Sequence, residues 1–358
     1  MGGGLQPKAS EEKHVFLMLD ALRGIAAISI VVFHYSLNLE HQLLPNSFLA
    51  VDFFFVLSGF VVAHAYENRL TNGLSFRQFA LLRLRRLYPL YFLGMTLPLI
   101  VAGIQILSEQ PHFSRSLLAI SYITEIFFLP TPGIFSTGAF GTFPLNTPAW
   151  SLSLEIAINL VYAAFCKNLT TRLLSAFTLL AGFGLLTASL NHGGLNIGSD
   201  WSSYFGGWAR VFWSFPTGIL LYRIFKIRKR REYPLWAGIL LAFSLVAIFA
   251  YDNTGPISGL VFAFVIFPLI VFLGACVKID GAARNVASWL GGVSYAVYLT
   301  HYGILQIFTF SYQLLGNDPK THFLSNLLIW TVIAVLCGWI ADVAYDIPVR
   351  KFLRRKWE

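Results

Sequence analysis

Charged side chains are scarce in this sequence. Asp, Glu, Lys and Arg make up 12% of the 358 residues, while hydrophobic residues make up 56%. A soluble domain needs about a quarter of its residues charged to cover its surface. Half that share, with long apolar runs throughout, excludes an ordinary water-soluble fold and makes lipid the main solvent. Cysteine is scarce as well. Cys166, Cys276 and Cys337 fall in or beside apolar runs and show no CxxC or metal-ligand spacing. That argues against a disulfide framework and against zinc, so no metal is expected. The opening MGGGLQPKASEEKH is polar and Gly-rich and has no apolar core, which excludes a cleavable signal. Gln6 stands where N-myristoylation wants Ser or Thr. Residues 1–14 read as a disordered cytoplasmic tail.

Ten segments are long and apolar enough to be read as spans of about 20 residues: roughly 16–37, 48–66, 87–107, 148–166, 173–190, 207–225, 234–251, 257–277, 287–310 and 323–345. The stretch 116–130 is apolar too, but it carries Glu125 and stops at Pro130. With the N-terminus cytoplasmic and the spans alternating, all but four of the 26 Lys and Arg fall on the inner side. The exceptions are Arg115 and Lys320 outside, and Arg23 and Arg210 within spans. Making 116–130 a full crossing would put KIRKRRE (226–232) and the basic C-terminus outside, against the positive-inside rule. The expected architecture is therefore all-α. It is a polytopic integral membrane protein with about ten transmembrane helices, a short re-entrant or interfacial segment, and both termini cytoplasmic. The membrane domain is expected over 15–349, followed by a basic tail over 350–358. The formal net charge of +9 is topology rather than a nucleic-acid footprint.

An ionisable group inside a span is costly, and it is a functional candidate by default. The first span holds Asp20, Arg23 and His34. Arg23 and His34 are eleven positions apart, close to three helical turns, so they share one face, with Asp20 on nearly the same stripe. At about 1.5 Å per residue, His34 sits some 16 Å further toward the outside than Arg23. Asp52, in VDFFFVLSGF, and Glu155, in NTPAWSLSLE, lie at roughly the depth of His34. A carboxylate beside a histidine holds its tautomer and stabilises the imidazolium formed when it takes a proton. Sequence leaves open which of the two carboxylates serves, and both also suit helix N-terminal capping. Arg83 and Arg86, in RLRRLYPLY, project from one side of a helix start and suit phosphate. Positive-inside anchoring competes with that reading, and for KIRKRRE and RKFLRRKWE (350–358) anchoring is the account adopted. Arg210, just inside the outer edge, suits either an anionic acceptor or snorkelling. SYAVYLTHY places His301 mid-membrane, with Ser294, Tyr295 and Tyr298 on the turns before it. This histidine is equally a hydrogen-bonded structural group or a site residue.

LDALRGIAAISIVVFHY, VDFFFVLSGF, RLRRLYPLYFLG, PAWSLSLE and SYAVYLTHY occur here in an order and spacing that resembles the acyltransferase-3 family of membrane O-acyltransferases. The resemblance runs from about residue 15 to 345. It implies transfer of an acyl group, usually acetyl, from cytoplasmic acyl-CoA to a hydroxyl, typically of a sugar, in a bacterial plasma (inner) membrane. On the family's motifs His34 is the catalytic residue, and by their depth Asp52 and Glu155 stay its candidate assistants. The family's RxxR maps onto Arg83 and Arg86, associated with the donor, and its fourth-span motif onto Trp150, Ser151 and Glu155. From the residues themselves, Arg23 joins the donor's path, and Trp150, Ser151, Tyr295 and His301 are the substrate-side candidates. The implied partners are acyl-CoA, a carbohydrate or other hydroxyl acceptor and membrane lipid, with no nucleic acid. Many relatives carry a soluble domain after the last span. Its absence here leads to the expectation that the acceptor reaches the membrane site directly, which weakens peptidoglycan as a substrate. A multi-span transporter or flippase for a glycan or small anion is the competing class, since it too would carry intramembrane charge.

Overall fold

The computed structural model describes residues 16–37, 42–107, 114–136, 141–228, 231–252, 255–316 and 321–355. The expected disordered tail 1–14 lies outside the described residues. The chain is built from helices α1 (Leu17–Ser36), α2 (Ala50–Thr71), α3 (Phe76–Leu107), α4 (Arg115–Glu125), α5 (Ala149–Phe165), α6 (Thr171–His192) and α7 (Tyr204–Ile227). These are followed by α8 (Leu235–Ala250), α9 (Pro256–Val261), α10 (Phe267–Gly274), α11 (Ala282–Leu314), α12 (Phe323–Ile340) and α13 (Ile347–Arg355). Wide π turns join α9 to α10 and α12 to α13 without breaking the helical path. Among the described residues the only β-pairing is an isolated bridge between Tyr233 and Val277. The fold is that of an all-α membrane protein.

Each of the ten expected crossings coincides with a helical stretch. Among the described residues, seven helices are long and apolar enough to cross a membrane by length and composition. The other three depart for visible reasons. α8 has only 16 residues. α7 and α11, with 24 and 33 residues, have the length but carry Arg210 in one and the Ser294–His301 polar row in the other. α4 has 11 residues, about 16 Å of helix against a hydrocarbon core of about 30 Å, so it cannot cross. Local chemistry sets several of the boundaries. The Ser114 and Thr170 hydroxyls accept the backbone N–H of Leu117 and Leu173 at the starts of α4 and α6. Gly193, at φ +74°, ends α6 in the left-handed conformation that only glycine adopts cheaply. At the other end of the chain, the expected basic tail is helical through Arg355.

Lipid supplies no hydrophobic force between helices, so close approach depends on small residues and polar contacts. Two parallel pairs show this. In α2 and α7, Gly59 and Gly218 face one another so closely that a Cβ on Gly218 would fall on the Val56 carbonyl, and one on Gly59 on that of Phe215. Ion pairs flank this contact, Asp52–Arg210 at one end and Glu67–Arg223 at the other. In α1 and α11, Gly24 packs on the Leu290 backbone and Gly291 on the Asp20 side chain. α3 joins this second pair: Gly94 packs against Leu299, and the Tyr295 hydroxyl donates to the Leu87 carbonyl at 2.7 Å. α1, α3 and α11 therefore run parallel around one seam. The outer surface is left to lipid-facing residues such as Leu179, Leu180, Phe183, Phe243 and Leu328.

Gly218→Ala is expected to destabilise the fold by about 1–3 kcal/mol or more, because neither backbone can retreat. Gly103→Ala, with nothing within 4 Å of its added methyl, leaves the fold intact. Thermal unfolding of the two purified variants in detergent reads the contrast.

Candidate active site

The α1–α11 seam places one basic residue after another along a cavity. Arg23 donates through Nη2 to Asp20 Oδ1 at 2.9 Å and to the Gly291 carbonyl at 2.8 Å, and through Nε to Ser294 Oγ at 2.9 Å. A guanidinium held on three sides cannot snorkel; it is fixed where it stands. Arg83, buried in α3, donates to Glu155 Oε1 at 3.3 Å, and Ser58 donates to the same oxygen at 2.6 Å. Arg86, one turn later, is exposed and makes no hydrogen bond or ion pair among the described residues. All three arginines line a cavity of about 510 Å³, together with Ser151, Tyr295 and Tyr298. That volume lies within the range of small-molecule and cofactor sites. The arrangement offers an anion two kinds of cation, one pre-paired and rigid, the other free to move.

The C-terminal segment completes the cavity wall. Asp342, Asp346 and Arg350 also line it. Arg350 donates to Asp346 at 2.7 Å and approaches Asp342 at 3.5 Å. Arg350, expected only to anchor the C-terminus at the membrane surface, thus also pairs with two carboxylates at the cavity. Asp342 and Asp346 are not among the residues that the sequence singles out. Their only signal there is a pair of acidic residues closing an otherwise apolar run, and the π turn over Ala341–Asp346 sets them where they are. Such turns are frequent at functional sites.

His34 and His301 meet beyond the end of this cavity, with His34 Nδ1 3.0 Å from His301 Nε2. The surrounding bonds assign the tautomers. His301 Nδ1 lies 2.7 Å from the Tyr298 carbonyl and 3.1 Å from that of Val297, so it carries the proton and donates. His301 Nε2 is then an acceptor, and it takes the His34 Nδ1–H. That leaves His34 Nε2 with an open lone pair, the form a general base requires. Tyr298 links the pair to the cavity: it lines the cavity, sits one turn before His301 and hydrogen-bonds Ser151 Oγ at 2.7 Å.

The partner of His34 therefore differs from the expected carboxylate. Asp52 spends its oxygens on Arg210, whose Nη2 lies 2.8 Å away and which also donates to the Ile197 and Phe48 carbonyls. Both side chains are almost wholly buried, at 0% and 1% exposure. Arg210 thus neither snorkels nor stands open to an anionic acceptor. Glu155 faces Arg83 and Ser58 instead. Trp150 does not line the cavity; its ring packs against Gly198 and Gly207, with the Arg210 guanidinium 5.4 Å from its centroid. The neighbouring Ser151 does line it. Glu125, fully buried at the end of α4, accepts the Leu145 and Asn146 backbone N–H groups at 2.9 and 3.3 Å. Asn146 in turn donates to the Leu299 carbonyl at 3.0 Å, which braces the segment entering α5 against α11.

A family model described as an acyltransferase domain matches residues 16–345. The chain belongs to the acyltransferase-3 family. Among its relatives, "Protein 2 in picA locus" of Rhizobium radiobacter is 39% identical over 166 residues, covering 44% of this chain and 85% of that protein. "Putative peptidoglycan O-acetyltransferase YrhL" of Bacillus subtilis (strain 168) is 26% identical over 89% of this chain and 53% of its own length. "Peptidoglycan O-acetyltransferase OatA" of Listeria monocytogenes is 25% identical over 81% of this chain and 49% of its own. The acyltransferase chain thus spans about half the length of these last two relatives. No solved structure matches it.

The Asp52–Arg210 pair makes a stability prediction for this acyltransferase. Arg210→Met strands a buried carboxylate and is expected to cost about 3–5 kcal/mol, whereas Arg210→Met with Asp52→Leu recovers most of the loss. Thermal unfolding of both variants decides it; equal loss in single and double variants would show that the pair carries no such strain.

Proposed function

We propose that this acyltransferase moves an acyl group, acetyl in the simplest case, from cytoplasmic acyl-CoA to a carbohydrate hydroxyl arriving from the opposite side of a bacterial plasma membrane. The observation that carries the reading is the hydrogen-bonded His34–His301 pair, with His34 Nε2 open, set beyond a cavity lined by Arg23, Arg83 and Arg86. CoA is polyanionic, and the unpaired Arg86 is the natural first contact for its phosphates, with Arg83 held ready by Glu155. Arg23 lies further along, and Ser151, Tyr295 and Tyr298 offer hydrogen bonds to the pantetheine amides. The arm then delivers the thioester toward the histidine pair.

In the transfer step, His34 Nε2 takes the proton of the acceptor hydroxyl as its oxygen attacks the thioester carbonyl. The C–S bond breaks, the acyl group forms an ester with the acceptor, and the departing thiolate recovers the proton from His34. His301 accepts the His34 Nδ1–H throughout, so the transient imidazolium shares its charge and the ring cannot rotate out of line. Glu155 and Asp52 act at one remove, the first by holding Arg83 and the second by holding Arg210 beneath Trp150.

His34→Ala is expected to abolish transfer of labelled acetyl from acetyl-CoA while leaving folding unchanged, and to erase ester groups from surface glycans in cells carrying the variant. General-base removal of this kind costs about 10²–10⁴ in rate. Mass spectrometry of the glycans and a label-transfer assay read both, and near-wild-type transfer by the variant would refute the mechanism. Arg86→Ala is expected to raise KM for the acyl-CoA donor and leave the acceptor KM in place. The reverse pattern in steady-state kinetics would remove Arg86 from the donor site.

A further inference from the structure

The cavity with the arginines meets α1 at Asp20 and Arg23 and meets α11 between Ser288 and Tyr298. A second, smaller pocket of about 200 Å³ meets α1 at its other end, at Phe33 and Leu37. It forms between the segment entering α2 and the turn after α6, where Phe48, Gln42, His192 and Asn196 close around Phe33. His34 lies between the two cavities along α1. The Phe33 ring, part of the pocket wall, stands edge to face with the His34 ring at 5.2 Å.

The chemistry of this lining is specific. Two aromatic rings, two amides and an imidazole supply apolar faces and hydrogen bonds, and none of the lining residues is a carboxylate, lysine or arginine. Gln42 Nε2 is buried and has no hydrogen-bond partner among the described residues. Leaving a buried amide donor unsatisfied costs about 1–3 kcal/mol, which a ligand oxygen would recover. The segment carrying Gln42 is held in place. The Ser36 hydroxyl donates to the Leu43 carbonyl at 3.0 Å and accepts its N–H at 3.1 Å, and the Phe48 carbonyl accepts from Arg210 at 2.9 Å. A phosphate would find no cation in this lining, and an acyl chain would leave Gln42 unsatisfied. A sugar ring matches both features: its hydroxyls pair with amides, and its C–H faces pack on the partially negative faces of aromatic rings. The volume is below the roughly 300 Å³ at which drug-sized sites begin, which suits a single ring.

We infer that this pocket is an acceptor subsite for one uncharged pyranose, presenting a hydroxyl to His34 past Phe33. The inference rests on the reading of the acceptor as a carbohydrate. It gives the chain two entrances that converge on the histidine pair from opposite ends of α1.

The test uses the full chain in lipid nanodiscs, with methyl β-D-glucopyranoside as probe and saturation-transfer NMR as the readout of contact. The wild type is expected to transfer saturation to the glucoside. Gln42→Leu is expected to weaken the signal at least fivefold, and Asn196→Trp, which fills the pocket from an exposed position, to abolish it. Equal signals in all three proteins, or none in the wild type, overturn the subsite. Labelled acetyl-CoA is supplied to the same samples. Contact that the two variants lose, without any label reaching the glucoside, upholds the subsite while refuting acyl-CoA as donor. Label transfer that both variants perform with an unchanged KM for the glucoside upholds the enzyme and overturns the subsite.

Discussion

The close, parallel approach of α1 and α11 is the contact on which the site depends. Gly24 and Gly291 bring the two backbones together, and everything chemical is strung along that seam: Asp20 and Arg23 against Gly291 and Ser294, then His34 against His301. Because both helices run the same way, their polar residues meet in matching order. α3 lies parallel to them and adds Arg83 and Arg86 from a third side, while α2, α5 and the C-terminal segment close the rest of the cavity.

Placing ionisable groups in such a cleft requires a partner for each, and the pairings divide the charges by role. Arg210 and Arg223 are locked to Asp52 and Glu67 on either side of the Gly59–Gly218 contact, and they hold α2 against α7. Arg23 and Arg83 are bound to carboxylates but still face the cavity. Arg86 is left over. A site that pre-orders most of its cations loses little freedom when an anion arrives, and one mobile arginine suffices to capture it.

The sequence displays the helices well and their partnerships poorly. Apolar runs mark each long helix, and the eleven positions between Arg23 and His34 put both on one helical face by periodicity alone. What joins one helix to another leaves no such periodic trace. Glu155 finds Arg83 across 72 positions and Asp52 finds Arg210 across 158, so depth alone draws both carboxylates wrongly toward His34. His301 is visible as a mid-membrane imidazole within a Ser–Tyr–Tyr row, yet only the packing of α11 on α1 shows that it is the group bonded to His34. Arg350 is obscured for a different reason. A basic residue after the last span is expected at the membrane surface, and although Arg350 stands four positions after Asp346, only the structure shows that both line the cavity.

The hydrogen bond between the histidines spans 267 positions. A ribosome building this chain releases His34 into the bilayer with its first helix and supplies His301 only when most of the protein has been made. Until then the His34 ring has within reach only the Ile30 carbonyl of its own helix, and the cleft faced by the α3 arginines lacks its α11 wall. On the proposed mechanism, the chain therefore holds its cations before it holds its histidine pair, which forms only once α11 has been made.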